Sequence, residues 1–199
     1  MNHYAAAAVA ICITIAIFTP YLMAVWRRTL HPHVISWVIW GLTTMLVAGG
    51  QLIAGAGIGA APIVLSGLLS SAVAVVAMLR RQPGHLDTGI TRFDGWCLAI
   101  VLAGIPIWLS TGDVSWSMLL LTVIDLVGFA PAVRVVWQRP HSESVLLFLA
   151  FGIRNALAVL AVESAHLTTV VFPAVIGTAC AAMAVLMLIR RRYLSTHTI

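Results

Sequence analysis

The sequence predicts an all-α integral membrane protein, with seven transmembrane helices arranged as two parallel three-helix repeats joined by a linker helix. Three observations predict it. The 199 residues are 61% hydrophobic and 9% charged, too few polar groups to cover a water-facing surface. The chain also matches itself without a gap at an offset of 111, with 14 identities over the 78 positions from Tyr4 to Arg81. Among them Pro20 falls on Pro131, Trp26 on Trp137, Arg28 on Arg139, Gly41 on Gly152 and Pro62 on Pro173, and paired Trp, Pro and Arg are hard to match by accident. Finally, all 11 basic residues are Arg, and ten of them fall at one set of helix ends.

The elements follow in order. Apolar runs long enough to cross a bilayer lie near Tyr4–Trp26, Val34–Gly55, Gly57–Leu79, Phe93–Ser110, Ser115–Trp137, Ser144–Glu163 and Thr168–Ile189. Each is expected to be helical, because inside hydrocarbon only a helix satisfies its backbone within one segment. Arg27, Arg28, Arg80, Arg81, Arg92, Arg134, Arg139 and Arg190 to Arg192 share one side, whereas the loops 55–59, 111–114 and 164–167 contain no Arg. The positive-inside rule then puts the N-terminus outside and the C-terminus in the cytoplasm. The net charge of +5 is thereby a topology signal, with no nucleic-acid partner implied.

Both repeats carry their basic loop after their first helix, so they cross the membrane in the same direction. A three-helix unit ends on the side opposite its start, and one extra crossing is needed between two parallel units. Phe93–Ser110 supplies it. The division is a first bundle over residues 1–82, a cytoplasmic loop and linker helix over 83–111, and a second bundle over 112–199.

This three-one-three order with an outside N-terminus resembles the SWEET sugar transporters, the PQ-loop proteins and the PnuC vitamin-precursor transporters. The resemblance covers essentially the whole chain in architecture. At residue level it rests on Pro20 and Pro131 near the cytoplasmic end of each repeat's first helix. In the family such prolines are hinges for alternating access, and the resemblance gives these two that role. The PQ dipeptide is replaced by Pro20-Tyr21 and Pro131-Ala132, so the architecture is implied and sugar as substrate is not. The implied function is a small-solute transporter or facilitator in the plasma membrane, a bacterial inner membrane by expectation. The alternative is a non-transporting receptor on the same scaffold.

Two ionisable residues fall inside predicted spans. Asp125 and Arg154 lie about 23 Å and about 20 Å from the turn at Pro140, at matching depth on adjacent helices. Each is expensive in mid-membrane, ~2.5–3.5 kcal/mol on insertion scales, so a salt bridge between them is expected. Their repeat mates are the uncharged Thr14 and Thr43. The pair is either a closed structural bridge or one that opens to hold a polar or zwitterionic solute. Asn155 beside it offers two donors and an acceptor, and Thr44 is its repeat mate.

Trp40 and Phe151 are repeat mates, as are Trp37 and Phe148, and such flat apolar faces suit a ring-shaped solute. Trp37 reads more simply as part of the interfacial aromatic belt with Trp26, Trp96 and Trp137. Ser66, Ser70 and Ala74 form a small-residue stripe, better explained by close helix packing than by a pore lining, although Ser66 is kept as a candidate solute contact. Gly55 and Gly59 read as loop formers, and Glu163 with His166 as a solvated outer end. His31-Pro32-His33 reads as a headgroup-level loop, and Cys12, Cys97 and Cys180 as apolar packing residues. No hydrolase, zincin or phosphate-loop motif is present, so no enzyme activity, metal or cofactor is expected. The absence of Lys also excludes a retinal Schiff base. The expected partners are a small solute, the lipid bilayer and a possible second copy of the chain.

Overall fold

The computed structural model describes residues 3–53, 61–80, 90–110, 112, 114–160 and 167–196. The turns at Gly55–Gly59, together with Glu163 and His166, lie outside the described residues. The described residues form eight helical segments and no strand. They are α1 (His3–Trp26), α2 (Val34–Ile53), α3 (Ala61–Arg80), α4 (Arg92–Ser110), α5 (Val114–Val127), α6 (Phe129–Gln138), α7 (Val145–Leu160) and α8 (Leu167–Thr196). Among the described residues five apolar stretches are long enough to cross a membrane, and Leu119–Gln138 combines α5 with α6 as one of them. The apolar stretches Val34–Gly49 and Val145–Ala156 are shorter.

In the first half α3 packs against both α1 and α2, and in the second α8 packs against both α5 and α7. The third long helix of each half is therefore its wedge. The halves meet where α1 touches α7 and where α2 touches α5 and α6. Helix α4 rests against α5, α2 and α6.

Local chemistry sets the helix ends. Helix α1 stops in a Schellman turn: Thr29 N–H bonds Ala24 O at 2.9 Å and Arg28 N–H bonds Val25 O at 3.0 Å. Arg28 takes the left-handed position there, with φ of 61°, which favours glycine. Arg28→Gly is accordingly expected to stabilise the fold by about 1 kcal/mol, read as a higher unfolding midpoint in detergent. Helix α4 opens on a capping box, in which Thr91 N–H and its hydroxyl both donate to Asp94 Oδ2, at 2.7 and 2.8 Å. Ser144 caps α7 by accepting the Leu147 N–H at 3.3 Å.

The two prolines of the repeat differ in their surroundings. Pro20 sits within an uninterrupted α1, whereas the helix containing Pro131 is broken at Gly128, which separates α5 from α6. Pro131 has no N–H for the Val127 carbonyl, and its ring crowds that turn. The Gly128 N–H accordingly bonds Asp125 O at 3.0 Å, a tighter three-residue step. Absence of a side chain at Gly128 also matters, because a Cβ there would come within 2.8 Å of Trp40 Nε1.

Candidate functional site

Three layers of side chains fill the contact between the halves. The first lies at the arginine-rich end, around a carboxylate in the connection from α6 to α7. Glu143 is fully buried and accepts from the Tyr21 hydroxyl of α1 and from Trp37 Nε1 of α2, the latter at 3.2 Å. Its own backbone carbonyl is held by Arg191 of α8 at 2.8 Å, and Arg191 also grips Pro140 O at 2.9 Å. Both halves are thus tied through one residue. Burial pushes the Glu143 carboxyl up to about 7, against the downward pull of bonds from Tyr21, Trp37 and the His33 backbone. A groove opens beside it, lined in part by Leu30, Val145 and Leu149.

Nearby, Asp94 is fully buried and ion-paired to Arg134 of α6 at 2.7 Å, with His33 Nε2 at 3.4 Å. His33 thus lies in the loop before α2, as expected, but it is buried, and the carboxylate missing from its sequence neighbourhood arrives from α4.

The second layer is aromatic. Phe18 packs on Phe151 with ring centres 5.3 Å apart, and Phe129 packs on Trp40 at 4.9 Å. Phe18 also meets Trp37 edge-on at 6.2 Å, and Phe129 meets Phe148 edge-on at 6.4 Å. Adding 111 to 18 and 37 gives 129 and 148, and the same offset relates the Phe18–Phe151 contact to Phe129–Trp40. Trp37 is 1% exposed, so the belt reading fails for it; its indole is committed to Glu143 and to Trp40. Trp40 is buried too, and its Nε1 makes no hydrogen bond.

Charged groups make the third layer, near the middle of α5 and α7. No ion pair joins Asp125 to Arg154 among the described residues, contrary to the sequence expectation. Asp125 is bonded instead to the hydroxyl of Thr43 on α2. Arg154 Nη1 reaches the hydroxyls of Thr14 on α1 at 3.4 Å and Ser66 on α3 at 3.3 Å, with its guanidinium 5.4 Å from the Phe151 ring centre. Each charged residue is met by the repeat mate of the other, since 14 and 43 plus 111 are 125 and 154. The physical reason is placement. The charges sit on α5 and α7, which are separated by the wedge α8 and touch the opposite half instead.

The other candidates separate. Asn155 is buried, bonds Phe151 O of its own helix at 2.9 Å and packs by its Cβ against Gly177, so it joins α7 to α8. Thr44 makes no side-chain hydrogen bond among the described residues; its neighbour Thr43 does the work expected of it. Ser66 stands in the site, as its position on the α3 stripe allowed. Glu143 and Tyr21 were missed. Glu143 aligns with Pro32, so the break in repeat symmetry that flagged Asp125 marks it as well.

The arrangement is that of an all-helical protein with several helices apolar enough to cross a membrane and a polar layer between its halves. No family model, curated protein or solved structure matches the chain.

Proposed function

We propose that the chain is a small-solute membrane transporter, working by alternating access between two parallel three-helix bundles with α4 as their linker. One observation carries the reading: in the aromatic and charged layers, contacts between the halves come in pairs related by the 111-residue offset, Thr43–Asp125 with Thr14–Arg154 and Phe18–Phe151 with Phe129–Trp40. Such pairing supports a two-fold axis along the membrane normal, with a polar layer astride it. A solute on that axis meets both bundles at once, as rocking transport requires.

The arginine-rich end is cytoplasmic on this reading, with the N-terminus outside. Further support comes from guanidinium groups laid on indole rings at that end. Arg80 lies 3.9 Å from the Trp26 ring centre, and Arg190 lies 4.5 Å from that of Trp137. The aromatic layer and the Glu143 contacts then close the cytoplasmic side in this conformation. Pro20 and Pro131 soften the first helix of each bundle, and Gly128 is the joint beside the second.

The test has two arms. Reporter fusions after Ser110 and Arg192 are expected to report outside and inside respectively; one compartment for both would end the three-one-three topology. A thermal-shift screen of purified protein against sugars, amino acids and vitamin precursors is expected to find one stabilising class. Proteoliposomes should then take up that class, and binding without uptake would make the protein a receptor.

A further inference from the structure

Arg154 is a cation with no ion-pair partner among the described residues. A guanidinium is always charged and carries five N–H donors. Only Nη1 of Arg154 is engaged, by two neutral hydroxyls at 3.3 and 3.4 Å. Charge-assisted bonds are normally about 2.7–2.9 Å. The Thr14 hydroxyl already gives its hydrogen to Ala10 O at 2.7 Å, so it offers Arg154 a lone pair and no charge. Nε and Nη2 make no bond among the described residues. Asp125, the carboxylate at the same depth, is occupied by Thr43.

The surroundings of Arg154 are uneven in burial. Thr14 and Ser66, toward which it points, are 0% and 5% exposed, yet Arg154 itself is half-buried and Phe151 beneath it is half-buried too. The head group is directed inward, towards those two hydroxyls. This fits one edge of a planar donor fork left free beside a flat apolar ring.

We infer that the solute carries a carboxylate, received by the free Nε–Nη2 edge of Arg154 with its apolar part against Phe151. A single uncompensated cation calls for a monoanion, and the spacing of Nε and Nη2 matches the two oxygens of a carboxylate. The adjacent aromatic face favours an organic acid over an inorganic ion. This inference rests on the transporter reading for its solute, although the binding site is testable separately.

The experiment uses full-length protein in nanodiscs and pairs each acid with its neutral amide: benzoate with benzamide, nicotinate with nicotinamide, lactate with lactamide. Inorganic phosphate and glucose complete the set. At least one acid is expected to bind about tenfold or more tightly than its amide. Arg154→Gln should abolish that preference, and Arg154→Lys should keep part of it. If Arg154→Gln fails to fold, the acid–amide comparison in the parent and the Lys variant decide the matter. Equal affinity for acid and amide, an acid affinity untouched by Arg154→Gln, no binding of any acid, or phosphate binding as tightly as the acids would overturn the inference. Glucose bound and taken up while acids are ignored would overturn it and leave transport standing. An acid bound but never moved into proteoliposomes would leave the anion site standing and remove transport.

Discussion

Glu143→Ala is expected to lower the unfolding free energy by roughly 2–6 kcal/mol, one of the two largest effects foreseen for a single substitution. The carboxylate is fully buried, and its loss strands the Tyr21 hydroxyl and Trp37 Nε1 without their acceptor. Each unmet buried group costs about 1–3 kcal/mol. Glu143→Gln keeps an acceptor oxygen and should lose far less. The pair also has a pH signature. The folded state holds the Glu143 proton up to about 7, above its ordinary value of 4.5, so between those limits the folded form binds more protons than the unfolded. Stability is therefore fully present below about 4.5 and falls as pH rises towards about 7, by about 3 kcal/mol in all. Thermal midpoints in detergent across that range should show the slope in the parent and a flat line in Glu143→Gln. A parent profile that rises with pH would contradict the burial-driven shift.

Trp40→Ala is the second. Trp40 is packed among Trp37, Phe129 and Phe148, with ring centres 5.3, 4.9 and 6.0 Å away. Removing so large a buried side chain typically costs about 3–5 kcal/mol through lost contacts and the cavity left behind. Here the cavity falls between the polar layer and the arginine-rich end, across the joint at Gly128. The expected result is a lower unfolding midpoint together with faster leak of a small polar tracer such as glycerol from proteoliposomes. Trp40→Phe should restore most of the seal. A Trp40→Ala protein as tight and as stable as the parent would mean that the aromatic layer closes nothing.

The helices were legible in the sequence because length and composition decide them. The predicted first, second and fourth spans begin and end within two residues of α1, α2 and α4, which differs little from ordinary fraying at helix ends. The fifth span is one apolar stretch long enough to cross a membrane, as its composition predicts, with a local step at Gly128 between α5 and α6. Pro131 lay in plain view, but the division also needs Trp40 pressed against the Gly128 backbone, and that is a tertiary contact. Asp125 and Arg154 were found as symmetry-breaking charges, yet their partners were misassigned. Depth along a helix follows from residue count, whereas the direction a side chain faces depends on which helix is the wedge. With α8 between α5 and α7, the charges on those two helices meet Thr43 and Thr14 across the interface. Asp94 and His33 illustrate the same limit: they are 61 residues apart in sequence and come together only because α4 folds back beside α2.

The unequal prolines bear on how such a molecule moves. Bending a continuous helix means stretching bonds still in place, whereas a break has already given them up. Because α1 runs unbroken through Pro20 and the second half has a tighter step at Gly128, the proposed rocking is expected to bend the second half more. On the proposed mechanism, two bundles built on one repeated sequence pattern need not share the motion equally: one would be the door frame and the other the door.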